Sequence, residues 1–135
     1  MSDTKQPANL RYGKTHEWAR VEGDIAYIGV SDFAQDELGD VVFLELPWNE
    51  AGSRELRAGE HFGDIESVKA TSELFSPVSG TLTQLNDKLK DNPEVVNSDP
   101  YGEGWMLAIR MSDPSEVDAL LDADAYTAFI DGSGH

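Results

Sequence analysis

Gly63-Asp64-Ile65-Glu66-Ser67-Val68-Lys69-Ala70-Thr71-Ser72-Glu73-Leu74-Phe75-Ser76-Pro77-Val78-Ser79-Gly80 is the stretch that decides the fold. Two β-patterned runs, Phe62 to Val68 and Thr71 to Val78, bracket a single lysine, and glycine and proline punctuate their ends. This pattern predicts a hairpin with Lys69 at its crest, held out in solvent on a stiff support. The neighbours Ser67, Ala70, Thr71 and Ser72 are small or hydroxyl-bearing, so another protein can approach the amine without obstruction. Solvated lysines are the commonest kind, and the crest position alone does not assign a use. Amide formation there would take the chain one unit beyond its formal net charge of −16 and turn a point cation into the base of a long apolar arm.

Working outward, His16 to Val21 and Ile25 to Val30 flank Glu22-Gly23-Asp24, a tight-turn sequence, and predict an opening hairpin. Ser31 is placed to cap a short helix through Phe33, Ala34 and Leu38, with Gly39 where a left-handed residue would end it. Val41 to Leu46 is almost continuously apolar and predicts a strand buried on both faces. Trp48 to Gly59 reads mainly as a loop, and its tryptophan suits the surface. Gly80 to Leu85 alternates as a strand does, and Asp91 to Gly104 predicts an ordered loop with room for one helical turn. Trp105 to Met111 places Trp105, Leu107, Ile109 and Met111 on one face of a half-buried strand. Asp113-Pro114-Ser115-Glu116 is a strong helix start, and the apolar stripe from Val117 through Ile130 predicts a helical tail ending at Gly132. Many short strands with a helical C-terminus imply a mainly β body, a small sandwich or flattened barrel with helices added.

The 135 residues suit one domain with a real core. With 26 acidic against 10 basic residues the chain repels phosphate backbones and anionic lipid, so no nucleic-acid or membrane partner is expected. The same field favours docking on basic protein faces, and it also serves solubility. There is no cysteine, so thiol chemistry must come from an attached group. Met1 to Pro7 has neither the apolar core of a signal peptide nor the Arg-rich pattern of a transit peptide, and a cytoplasmic protein is expected. A mature organellar form would read the same. His16, His61 and His135 lack metal-ligand spacing, and no metal site is expected. Tyr101-Gly102-Glu103-Gly104-Trp105 precedes a strand and does not form a phosphate loop, and no serine sits in a nucleophile elbow. No catalytic constellation emerges.

Taken together, the motifs resemble the H-protein family of the glycine cleavage system. They are Tyr12 with His16-Glu17-Trp18, Gly29 to Gln35 with Leu38-Gly39, and Val41 to Pro47. Further along come Gly63 with Glu66 to Ala70, Ser76 to Gly80, Asp91-Asn92-Pro93, Asp99 to Trp105, and the tail through Tyr126. The resemblance covers nearly all of residues 10–130. It implies a lipoyl-domain-like barrel-sandwich hybrid spanning residues 10–131, with disordered tails at 1–9 and 132–135. It also implies lipoate amide-linked to Lys69, set there by a lipoate-attaching enzyme, with Glu66, Ser67, Val68 and Ala70 as recognition residues. Glu17 would lie near the docking cleft of the arm. In the cycle so implied, a glycine decarboxylase loads an aminomethyl group, an aminomethyltransferase unloads it, and dihydrolipoamide dehydrogenase reoxidises the dithiol. The chain itself would be a monomeric, non-catalytic carrier. Glu37 stands where some relatives carry histidine, and the loop after Pro47 is slightly longer than usual.

Two other carrier roles use the same amine. A lipoate relay, passing lipoyl groups to other domains, is not separated from the first by sequence. A biotinyl carrier is disfavoured because Val68 and Ala70 stand where methionines flank a biotinyl lysine.

Overall fold

The computed structural model describes residues 6–133, so the expected tail residues 1–5 and 134–135 lie outside the described region. Two antiparallel sheets face one another. The first has six strands: β1 (Arg11–Tyr12), β2 (Glu17–Glu22), β3 (Ile25–Val30), β9 (Leu107–Met111), β8 (Gly80–Leu85) and β5 (Glu55–Leu56), in that spatial order. The second has three: β4 (Val41–Glu45), β6 (His61–Ser67) and β7 (Thr71–Phe75). The sheets do not close, and the result is the flattened barrel-sandwich expected.

Local chemistry explains the hairpins. Gly23 turns β2 into β3 with a φ of 67°, a left-handed conformation that glycine adopts without a Cβ penalty. Ser31 caps α1 (Asp32–Leu38) by accepting the Ala34 N–H at 3.1 Å, and Gly39 ends it with its own N–H on the Gln35 carbonyl. The main core lies between the sheets and includes Ile28, Leu44, Ile65, Leu74, Leu82 and Ile109. A second cluster holds the C-terminal helix α4 (Ala123–Ser133) to the first sheet. There Tyr12 stacks on Tyr126 with centroids 4.5 Å apart, and Trp18 packs where any Gly29 Cβ would stand.

Several expectations need correction. Strand β4 is not buried on both faces: Val42 and Phe43 are 52% and 46% exposed. It lies at the edge of the small sheet, and a bulge between Val41 and Phe43 turns both side chains outward. Strand β9 errs the other way. It runs between β3 and β8, and Leu107, Ala108 and Ile109 are all fully buried. The Trp48 loop contains strand β5, with Leu56 in the core, and Trp48 is half-buried against the core with the Lys90 ammonium 5.2 Å from its ring. The segment before Trp105 carries α3 (Val95–Ser98), and α2 (Lys88–Asp91) overlaps its start.

The tail is not one helix. Asp113 and Pro114 start a 3-10 segment, Pro114–Ala119, which ends at an extended Leu120. Leu121 then exchanges two backbone hydrogen bonds with Tyr12, each 2.8 Å, before Asp122 caps α4 through the Ala125 N–H. Pairing with β1 overrides helical continuation here. Glu116 leaves its capping role and accepts from the Ser79 amide and hydroxyl instead. Helix α4 runs on to Ser133, one residue past Gly132.

Candidate functional site

The hairpin joining β6 to β7 is the site. Its ladder closes at Glu66 opposite Thr71, and four residues, Ser67 to Ala70, make the turn. The Ser67 amide donates to the Ala70 carbonyl at 2.8 Å. Its hydroxyl accepts the amides of Lys69 and Ala70 at 3.2 and 3.1 Å and donates to the Ala70 carbonyl. One serine thus holds the backbone on both sides of Lys69, a local side-chain to backbone pattern that suits serine in turns. Val68, Lys69 and Ala70 are all exposed.

A strap from α1 to β4 supports the turn from below. The Val68 amide donates to the Asp40 carbonyl at 3.0 Å. The Lys69 stem lies over Gly39, its Cε 3.5 Å from where a Gly39 Cβ would stand. Gly39 has a φ of 81°, so glycine both satisfies the backbone and keeps the strap low under the stem. Asn97 of α3 ties the strap down. Its side-chain oxygen accepts the Val41 amide at 2.8 Å, and its amide nitrogen donates to the Gly39 carbonyl and to Gln35 Oε1, both at 2.9 Å. Sequence reasoning missed Asn97, because no local pattern tells which residue of the Asp91–Gly104 loop faces the strap.

Beyond Gly39 a cleft of about 310 Å³ opens between α1 and the small sheet. Phe33, Leu38, Ile65 and Leu74 give it apolar walls, and Glu17, Glu37 and Ser72 add polar groups. Glu17 is 1% exposed. One of its oxygens accepts the Phe75 amide at 2.9 Å and the other accepts the Thr15 hydroxyl. Burial pushes its carboxyl up from the ordinary 4.5 to about 7, against the pull of those hydrogen bonds. His16, beside it, adopts a φ of 77° and directs Nδ1 to the Tyr126 hydroxyl at 2.7 Å, where burial lowers its proton affinity. That hydroxyl also contacts Ser31 Oγ at 2.7 Å and is itself pushed up to about 12 by burial. Helix α4 therefore braces the cap of the helix that walls the cleft.

Of the residues expected at the site, Glu66, Ser67, Val68, Lys69 and Ala70 fall together at the crest. Glu17 lies apart, in the cleft. The structure also gathers one group that spacing did not suggest. His61, Asp64 and Glu73 bring their donor atoms within 4.8 Å of one another on the outer face of the same hairpin. His61 Nε2 is 2.9 Å from Asp64 Oδ1, an ion pair that raises the imidazole's proton affinity. Register explains the meeting: the irregularity between His61 and Gly63 shifts His61 to the face of Asp64, which pairs with Glu73.

The profile of the family described as Glycine cleavage H-protein matches residues 10–133. The glycine cleavage system H protein of Symbiobacterium thermophilum is 57% identical over 123 residues, covering 91% of this chain and 94% of that protein. A probable glycine cleavage system H protein of Haloarcula marismortui is 58% identical over 120 residues, covering 89% and 92%. The crystal structure of a glycine cleavage system H protein from Mycobacterium marinum superposes with a TM-score of 0.80 at 31% identity, covering 96% of this chain and 99% of that one. The chain belongs to the glycine cleavage H-protein family, whose role is that of a lipoyl carrier in glycine cleavage.

Proposed function

We propose that lipoate is carried on the Lys69 amine and that the protein serves as a non-catalytic shuttle among the enzymes of glycine cleavage. The observation that carries this reading is the turn itself, in which Ser67 fixes the backbone around an exposed lysine whose stem rests on Gly39. Rigidity at the root of an arm lets its own length supply the reach, while the root stays in one place for every partner.

Lipoate would supply a cyclic disulfide able to take up and release a one-carbon amine and to be reoxidised afterwards. The apolar walls given by Phe33, Leu38, Ile65 and Leu74 fit a hydrocarbon arm folded back from Lys69 across Gly39. Glu17 can hold or release a proton inside that cleft near neutral pH, which suits a cargo bearing an amine. Excluding water there shelters whatever the arm carries.

In this reading the partners are glycine decarboxylase, aminomethyltransferase, dihydrolipoamide dehydrogenase and the lipoate-attaching enzyme, each met by a monomer. The acidic surface steers the protein toward basic faces on them. Relatives in bacteria and an archaeon, and the lack of a helix long and apolar enough to cross a membrane among the described residues, support work in the cytoplasm.

The test is intact-mass measurement of the protein from its own organism. A lipoyl increment should map to Lys69 and be lost in Lys69→Arg, along with glycine cleavage in a mixture reconstituted from purified components. Undiminished turnover by Lys69→Arg would overturn the assignment.

A further inference from the structure

Four large hydrophobic residues are exposed among the described residues, and three of them, Val42, Phe43 and Val68, surround the crest of the Lys69 hairpin. They are 52%, 46% and 68% exposed. Val68 hydrogen-bonds to Asp40, two residues before Val42. Phe43 pairs with Glu66 in the β4–β6 ladder, and Val41 pairs with Ser67, so the bulged Val42 lies between those two rungs. Leu44 and Ile65 pair one step on and are buried, which puts Phe43 and Glu66 on the outer face. The fold leaves about half or more of each of these three residues in water. The bulge presents two side chains to solvent where a regular strand would turn one of them in.

Acids ring this island. Asp40, Glu45, Glu66 and Glu73 are all exposed, and Glu66, at the last β6–β7 rung before the turn, pairs directly with Phe43. The complementary surface is a small apolar recess with a basic rim.

We infer that Val42, Phe43 and Val68 form the docking surface for the enzyme that acylates Lys69. This rests on the reading of Lys69 as the lipoylated residue. Geometry selects that partner over the others. The acylating enzyme must bring its active site to the amine itself, so its surface has to meet the hairpin crest. Enzymes that act at the far end of a finished arm need not touch it. In the step served, the neutral Lys69 amine attacks the carbonyl carbon of lipoyl adenylate. The N–C bond forms, AMP leaves with the electrons of the anhydride bond, and the nitrogen sheds a proton.

The experiment uses the full chain with Val42→Thr, Phe43→Thr and both together, since threonine keeps strand propensity while removing apolar contact. Acylation is followed by mass with a purified lipoate–protein ligase, lipoate and ATP. The double variant should raise the KM for the carrier about tenfold, as loss of an interface anchor does, with kcat held and thermal midpoint unmoved. Once fully lipoylated, it should serve glycine decarboxylase with unchanged KM. Each single variant should give part of the effect. Equal acylation KM in wild type and double variant would overturn the inference. So would an equal rise in KM for the decarboxylase, or a dimer of the wild type dissolved by the same substitutions. Wild type that is never acylated would instead sink the lipoate reading itself.

Discussion

Strands β4 and β9 are similarly rich in apolar residues and occupy opposite surroundings. Strand β9 runs through the middle of the six-stranded sheet, and its small Ala108 is shielded between the ladder neighbours Tyr27 and Gln84. Strand β4 forms the edge of the three-stranded sheet, gives Val41 and Leu44 to the core, and leaves Val42 and Phe43 in water. In β9 the apolar side chains stabilise the fold. In β4 half of them keep about half of their surface in water and are available to a partner. Hydrophobicity along a strand therefore states what the strand has to offer, and the neighbours decide whether the fold or another protein takes it.

Truncating one side chain in each strand tests this difference most severely. Ile109→Ala should cost between about 2 and about 5 kcal/mol, because a fully buried branched residue leaves a cavity. Phe43→Ala should stay within about 0.5 kcal/mol, as exposed positions do. Urea unfolding of both variants checks this, and comparable losses would erase the distinction.

A second prediction asks whether the buried wall carries the pH dependence. Below 4.5 Glu17 is protonated in both folded and unfolded chains, and no penalty falls on the fold. Between 4.5 and about 7 only the folded form keeps the proton, so stability drops as pH rises through this window. Above it the loss is complete. Glu17→Gln should thus gain on wild type by up to about 3 kcal/mol from pH 4.5 to pH 7. His16 has the opposite sign, since its lowered proton affinity costs stability as pH falls, but it is common to both proteins and cancels in the difference. Thermal midpoints of the pair across that range make the measurement, and a flat difference would show that Glu17 does not carry the effect.

The smallest effect concerns the strap. Asn97→Ala removes three hydrogen bonds from a half-buried hub and should cost about 2 kcal/mol. Amide exchange at Val41 and Val68 should quicken while that in β9 stays slow, and equal protection of Val41 in both proteins would deny Asn97 its role.

Much of this was legible in the chain, and physics says which parts. The hairpin turn at Gly23, the Ser31 and Gly39 caps and the Lys69 crest all depend on residues within a few positions of one another. The surroundings of β4 and β9 do not, because exposure depends on sheet order. Asn97, whose partners stand 56 to 62 positions away, was invisible for the same reason. Likewise, pairing of Leu121 with Tyr12 interrupted a tail whose local pattern was helical throughout. Glu17 was noticed through resemblance, but its near-neutral ionisation arises from burial that no neighbouring residue announces.

The bond network linking Ser31, Tyr126 and His16 has a bearing on biosynthesis. The front wall of the cleft is translated early, whereas the tyrosine that steadies it follows well after the lysine hairpin. An emerging chain can offer the lysine hairpin to solvent well before the shelter beside it is finished. Competence to be modified and competence to protect cargo are thereby separated in time.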